Sequence, residues 1–279
     1  MKNIKGFFVH LTLILISLFC LLPFLWLTST AMKGVSENIF QYPPVLIPKF
    51  PTLNNFYEVL KLVPIIKYAI NSFIVAAFTV ILNLIFSSLA AYPLARMNFK
   101  GKNTAFFLIL LTLMIPFQAI MLPLYIIILK MNLIDSISDF NGYLGMILPF
   151  CVNAFGIFLL RQAFLTIPKE LEESAFIDGC NSFQIFTKIL LPLIKPSLSV
   201  LAIFTFVGSW GEFLWPSIIL TKQSLFTLPV GINELQGAFS ANYRLIAAGS
   251  IVSIIPILIF FISLQKYFIK GENEGAVKG

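Results

Sequence analysis

The chain has 279 residues, of which 58% are hydrophobic and only 11% charged, with a mean hydropathy of +0.93. Soluble domains carry about 25% charged residues, so a water-soluble globule of this size is excluded and a lipid bilayer is the expected solvent. The net charge of +7 is explained by basic residues beside anionic lipid headgroups, and no nucleic-acid partner is implied.

A hydrocarbon core of about 30 Å takes roughly 20 apolar residues in a helix, and six stretches meet that length. The first, residues 7–29, follows Lys2 and Lys5 as a signal peptide would. It is longer than the apolar region of such a peptide and lacks a clean cleavage site, so an uncleaved helix is expected. Residues 31–67 then carry Pro43, Pro44, Pro48, Pro51 and Pro64 among mixed charges. They read as an ordered loop with a short helix near 54–62, serving as a lid or as a dock.

The next spans are expected at 68–94, 104–128 and 142–160, with Asn83, Gln118 and Asn153 inside them. Such polar groups line a path or bond between helices, and packing is the favoured role for most. Pro93, Pro116, Pro123 and Pro149 here, with Pro216 and Pro256 further on, are expected to break or kink their helices.

Residues 167–196 interrupt the apolar pattern with four of the twelve acidic residues. Pro168 suits a first helical turn, and Glu170, Glu172 and Glu173 favour the positive end of the helix dipole, which predicts a helix from 168 to about 178. Gly179 suits the left-handed residue that ends a helix, and Asn181 with Gln184 forms a capping-box pattern for another, ending at Pro192. This hairpin either lies on the membrane surface or docks on a partner, since its second limb is too apolar for water alone.

The fifth span, 197–220, contains Glu212 between Trp210 and Trp215. An ionisable group at that depth either meets a passing solute or pairs within the fold; the aromatic rings suit sugar faces, packing or interfacial anchoring. The sixth span is expected at 245–264. The fold class is therefore an all-α integral membrane protein with six transmembrane helices. With the N-terminus in the cytoplasm, twelve Lys and Arg residues fall inside and seven outside, which places the hairpin and both termini in the cytoplasm.

Other chemistries find little material. Cys20, Cys151 and Cys180 are an odd set with two members in apolar spans, and no disulfide is expected. His10 is the only histidine, which leaves His-based metal sites and a catalytic triad unsupported. The phosphate-cradling pattern Gly-x-x-x-x-Gly-Lys-Ser/Thr is absent from the sequence, so energy for active transport has to come from another chain or an ion gradient.

Glu173-Ser174-Ala175, then three residues, Gly179, nine residues and Ile189-Leu190-Leu191-Pro192 resemble the EAA loop of ABC importer permeases. Asn71-Ser72, residues 115–125, Trp210-Gly211-Glu212-Phe213-Leu214-Trp215-Pro216, Thr227-Leu228-Pro229-Val230-Gly231 and the tail 271–279 are similar to the MalG-like permeases of carbohydrate importers. The chain departs from that group at Gly211, where the group carries Asn, so no ligand contact is implied at that position.

The resemblance implies a type I ABC importer permease fold divided as 1–66, a core of 67–266 containing the loop 167–196, and a tail of 267–279. It implies a MalF-like second permease, two cytoplasmic ATPase subunits that bind the ATP, and an extracytoplasmic solute-binding protein, and it supports in part the reading of the 31–67 segment as a dock for the last. No catalytic residue, metal or cofactor is expected in this chain. Coupling to the ATPase is expected through Glu170, Glu172, Glu173, Ser174, Ala175, Asp178, Gly179, Ile189, Leu191 and Pro192. In that scheme Glu172 and Glu173 bond to basic residues of the ATPase and the Ala175 side enters its cleft. Glu212, Trp210, Trp215, Asn153 and Gln118 are the candidate substrate path. The expected cargo is a sugar or oligosaccharide, the alternatives being glycerol phosphate or, less favoured, ion-coupled secondary transport. An intramembrane enzyme would need a base beside Ser209, and none is evident.

Overall fold

The computed structural model describes residues 2–236 and 242–275, with side chains from 6 to 236 and from 242 to 265. The resemblance of the tail 271–279 therefore falls on side chains, and at 276–279 on backbone, outside the described residues. Among them there is no strand beyond an isolated bridge between Lys33 and Pro51, and everything else regular is helical. Among the described residues three stretches are long and apolar enough to cross a bilayer alone: Gly6–Met32, Ile65–Arg96 and Tyr243–Gln265. They belong to α1 (Lys2–Met32), α3 (Ile65–Arg96) and the last helix, α13 (Tyr243–Gly275).

The other three expected spans are broken rods. α4 (Lys102–Thr112) and α5 (Phe117–Lys130) meet at 98°. Pro116 has no N–H to donate, disfavours helix in the residue before it and is itself extended (ψ 137°), so the expected single helix 104–128 is parted there. α6 (Asp139–Ile147), with a 3₁₀ turn containing Pro149, meets α7 (Ala154–Thr166) at 53°. The expected fifth span 197–220 is also two helices, α11 (Lys195–Gly211) and α12 (Leu214–Ile219), parted at Glu212, whose ψ is 123°. Pro93, Pro123 and Pro256 do not end their helices, which run on through all three. Irregular backbone at this depth persists only where protein or a cavity covers it, and a cavity lies at Glu212.

The chain divides into two units. The first holds Met1–Ile66 and Gly231–Ile255. No side chain from residue 7 to residue 28 of α1 is buried by the chain, as suits a helix apolar on every side with lipid around it. The expected short helix is present as α2 (Asn54–Leu62). The loop before it is tied by side chains: Asn55 Nδ2 donates to the carbonyls of Ala31 (2.7 Å) and Lys33 (2.9 Å), and Lys33 Nζ to Val45 (2.7 Å). Arg244 Nη2 donates to the Glu37 carbonyl at 2.5 Å. The N–H of Phe50 holds the Glu37 carboxyl below its ordinary range against the upward pull of burial, with help from the N–H of Lys49.

The second unit holds Lys67–Val230 and Pro256–Gly279, and α3 runs through both of its cores. Near one end Val75 packs with Ile128, Met146 and Trp215. Near the other, Ala91 and Ala95 pack with Phe164, Ala175 and Phe186. At about 1.5 Å per residue, the 20 positions from Val75 to Ala95 separate the cores by about 30 Å, close to a bilayer's hydrocarbon thickness.

Candidate functional site

The charged hairpin folds from local rules. Ile167 is extended (ψ 130°) because Pro168 follows it, so α8 begins two residues beyond Pro168 and runs Glu170–Ile177. It closes in a complete Schellman turn: the N–H of Cys180 donates to Ala175 O (2.9 Å) and that of Gly179 to Phe176 O (3.1 Å). Gly179 has φ +84°, where a side chain would be strained. Asn181 Oδ1 accepts from the Gln184 N–H and Gln184 Oε1 from the Asn181 N–H, both at 2.9 Å, completing the expected capping box.

The second limb comprises α9 (Ser182–Gln184), a π-helical turn Ile185–Leu190 and α10 (Leu191–Leu193). It passes through Pro192 and stops at Ile194, one residue beyond the last turn, where the chain bends by 76° into α11. Pro192 has no N–H for the Lys188 carbonyl, and the Leu191 N–H reaches back to Phe186 O instead, which widens the turn.

The hairpin's candidate residues divide between two faces. Glu170, Glu173, Ser174, Asp178 and Gly179 are exposed, as is Pro192. Beside them stand Ile177 and Phe183, 87% and 69% exposed. The expectation that the Ala175 side enters a partner's cleft is corrected: Ala175 is 5% exposed and packs into this chain's own core with Ile185 and Leu190, while Ile189 and Leu191 lean on the same core. Glu172 also turns inward, its Oε1 lying 2.8 Å from Arg96 Nε. Arg96 was visible in the sequence only as a charge at the end of a span. Its partner lies 76 positions away, and no local pattern pairs them.

The second site is a cavity of about 240 Å³ lined by Thr79, Asn153, Thr205, Ser209, Glu212 and Trp215 together with apolar side chains. Pockets that engulf a drug-sized ligand measure about 300–1,000 Å³, so this chain encloses room for part of a ligand. Glu212 is the only ionisable residue of the lining. From the position before the N-cap Phe213, its Oε1 accepts the Trp215 N–H at 3.1 Å and so satisfies a free donor in the first turn of α12. Asn153 is the N-cap of α7, its Oδ1 taking the Gly156 N–H at 2.6 Å. Thr79 and Thr205 carry no signal in the sequence, where they are ordinary span residues; their buried hydroxyls have no hydrogen-bond partner among the described residues. Trp215 Nε1 donates to Gly145 O at 3.0 Å. At Gly145 a Cβ would sit 2.1 Å from Leu133 O, so only glycine permits that approach. Trp210 stacks on Phe206 (5.6 Å) away from the lining, and Gln118 is exposed in the first turn of α5, also away from it.

Polar ties frame the far core. Asn71 Nδ2 donates to the carbonyls of Ser224 and Phe226 at 3.0 Å each, and Ser72 Oγ accepts the Leu228 N–H at 2.7 Å. Two sequence patterns quoted for the resemblance therefore meet in space. Asp135, buried in the loop after α5, accepts from the N–H groups of Thr221 and Lys222 (2.6 Å each) and from the Thr221 hydroxyl (2.8 Å). Burial pushes its carboxyl upward, but these donors and the Lys222 charge outweigh that and leave its pKa below the ordinary value.

Comparison with known proteins agrees with this geometry. Residues 83–272, well over half of the chain, match the family of binding-protein-dependent transport system inner membrane components. The chain is 38% identical over 98% of its length, and 94% of the relative's, to the arabinooligosaccharides transport system permease protein AraQ of Bacillus subtilis. It is 31% identical to the diacetylchitobiose uptake system permease protein DasC of Streptomyces coelicolor, over 97% of this chain and 96% of that one. The fold superposes with a TM-score of 0.78 and 25% identity on a chain of a bacterial ABC transporter involved in the import of the acidic polysaccharide alginate, covering 95% of this chain and 97% of that one. The chain belongs to the binding-protein-dependent transport system inner membrane components, and it is a multi-pass permease subunit of an ABC importer.

Proposed function

We propose that this permease carries a neutral sugar or oligosaccharide and is driven through its cytoplasmic hairpin by ATPase subunits, beside a second permease and an external solute-binding protein. The supporting observation is the division of the hairpin into a buried face and an exposed one. Ala175, Ile185 and Leu190 anchor it to the rest of the chain, while Glu170, Glu173, Ser174, Ile177 and Phe183 stand outward. A free surface carrying carboxylates among large apolar side chains suits a partner with a basic-rimmed apolar cleft. The inward turn of Glu172 leaves Glu170, Glu173 and Asp178 as the charged contacts.

The distribution of Lys and Arg supports placing this hairpin and the N-terminus in the cytoplasm. The external loop 33–53, with Val35 88%, Tyr42 93% and Ile47 81% exposed, offers the apolar surface for the solute-binding protein. ATP is bound and hydrolysed by the partner chains, and this subunit needs no cofactor.

For the cargo, names of relatives point both ways, since AraQ is named for arabinooligosaccharides and a 32% identical relative from Yersinia pestis for sn-glycerol-3-phosphate. The cavity favours the neutral class. Its hydroxyl, amide and aromatic groups suit a polyol, and its one ionisable residue, Glu212, repels an anion. In vesicles holding the complete complex, a labelled neutral oligosaccharide is expected to accumulate with ATP while glycerol phosphate fails to compete. Glu173→Arg is expected to lower ATP-dependent uptake at least about tenfold by placing like charges at the contact. Uptake that survives without the ATPase, or a Glu173→Arg complex as active as the parent, would sink the reading.

A further inference from the structure

Arg96 is the last residue of α3, and its guanidinium joins that helix to two others. Its Nη2 donates to the carbonyl of Ile167, the residue that caps the end of α7, at 2.6 Å. Its Nε lies 2.8 Å from Glu172 Oε1 in the first turn of α8, and the two side chains are only 5% and 14% exposed. Two neighbouring cations serve the same helix end differently: Arg161 Nε donates to Leu94 O (3.1 Å), and Lys102 Nζ to Ala95 O (3.2 Å) and Met97 O (2.9 Å). All three answer the negative end of the helix dipole. Of the three, only Arg96 also reaches α8. The surroundings are apolar, with Tyr92 one turn back on α3 against Phe186 of the hairpin (5.1 Å) and Phe164 of α7 (6.0 Å).

A buried ion pair stabilises a fold little better than apolar side chains of the same volume would. What it adds is orientation. Neighbouring residues on a helix point about 100° apart, so drawing Glu172 inward fixes the roll of α8 and turns Glu173 to the surface. A planar, forked cation fixes the angle between the carbonyl and the carboxylate it meets, whereas an ammonium, a point charge on a flexible stem, sets no such angle. α3 is also the helix that supplies Val75 and Thr79 to the cavity.

We propose that Arg96 is a positioning residue for energy coupling: it ties the coupling helix to the end of α3, so that a displacement of α8 by the ATPase moves the cavity wall. This rests on the importer reading above. The experiment uses the whole complex, purified from its host's membranes through a tag on this chain and reconstituted. Uptake by the parent complex, read first, tests the importer reading; ratios of variant to parent test Arg96.

Arg96→Ala is expected to keep the ATPase bound with hydrolysis within about twofold of the parent, and to lower solute moved per ATP at least about tenfold. Arg96→Lys is expected to recover part of that loss, because it restores charge without the fork. In a background with Cys20, Cys151 and Cys180 replaced by Ser, Arg96→Cys with Glu172→Cys, joined by a short reversible bis-thiosulfonate linker, is expected to regain uptake and lose it on reduction. A purely structural pair predicts instead that assembly, hydrolysis and uptake fall together. An Arg96→Ala complex with unchanged solute moved per ATP overturns the proposal, as does a linked pair no more active than the unlinked one. If Arg96→Ala does not assemble, Glu172→Gln keeps the shape without the charge, and a ratio within about twofold of the parent overturns the proposal equally.

Discussion

The two ends of α3 use polar groups in opposite ways. At the hairpin end the core is apolar, and one ion pair, Arg96 with Glu172, is buried inside it to set the roll of a helix. At the cavity end the backbone itself is broken, and carboxylate and amide groups satisfy the free N–H groups of the fragments: Glu212 at the start of α12 and Asn153 at that of α7. The first arrangement makes a rigid handle. The second makes a wall of short rods with polar joints facing a space. Glu212 illustrates the difference, since the structural role and the solute-facing role left open by the sequence belong to one carboxylate: Oε1 satisfies a donor in the first turn of a helix while the residue lines the cavity.

The comparison breaks most severely at Gly145. Adding a methyl group 2.1 Å from Leu133 O would force α6 from the 131–138 loop and from Trp215. Gly145→Ala is expected to cost about 1–3 kcal/mol or more as overpacking, seen as a lowered melting temperature of the purified chain and weak recovery from membranes, with Gly179→Ala affecting recovery less because nothing lies within 4 Å of its Cβ position.

Asn153→Ala should come next. Losing the cap on α7 is expected to cost about 1 kcal/mol and to lower the melting temperature by a few degrees, without changing how the hairpin binds the ATPase in a copurification assay.

The smallest effect at neutral pH is a pH signature at Asp135. Its folded pKa lies below the ordinary 3.8, so its contribution is fully present above 3.8 and is lost as pH falls through the depressed folded value. The stability difference between the parent and Asp135→Asn is expected to be flat from about pH 5 to 8 and to shrink only below the ordinary value. A difference that instead changes between pH 6 and 8 in thermal melts would show that another group dominates this contact.

What was legible in the sequence follows the range of the interaction. The Gly179 turn, the Asn181–Gln184 capping box and the helix at Asn54–Leu62 depend on residues a few positions apart, and all three stand as expected. The six apolar stretches were legible as composition, but whether each is one rod was not, because a proline's effect depends on what covers the freed carbonyls. Pro116 marks a 98° bend, while α3 runs on past Pro93. The inward faces of Ala175 and Glu172 were illegible, since an eight-residue helix with carboxylates on several sides does not declare which of them meets a cation from a distant segment. Thr79 and Thr205 gave no signal, because a hydroxyl in a helix normally bonds its own backbone.

The π-helical turn Ile185–Leu190 has a further consequence. Its hydrogen-bonded rings span one residue more than those of an α-helix, so the limb reaches Leu191 about 100° out of the phase that an unbroken α-helix would have given it. The count of residues between Gly179 and Ile189 thus acts as an angular setting rather than a length. It decides which way the chain faces when it leaves the hairpin for α11, and with it the direction in which a push on the hairpin arrives at the cavity.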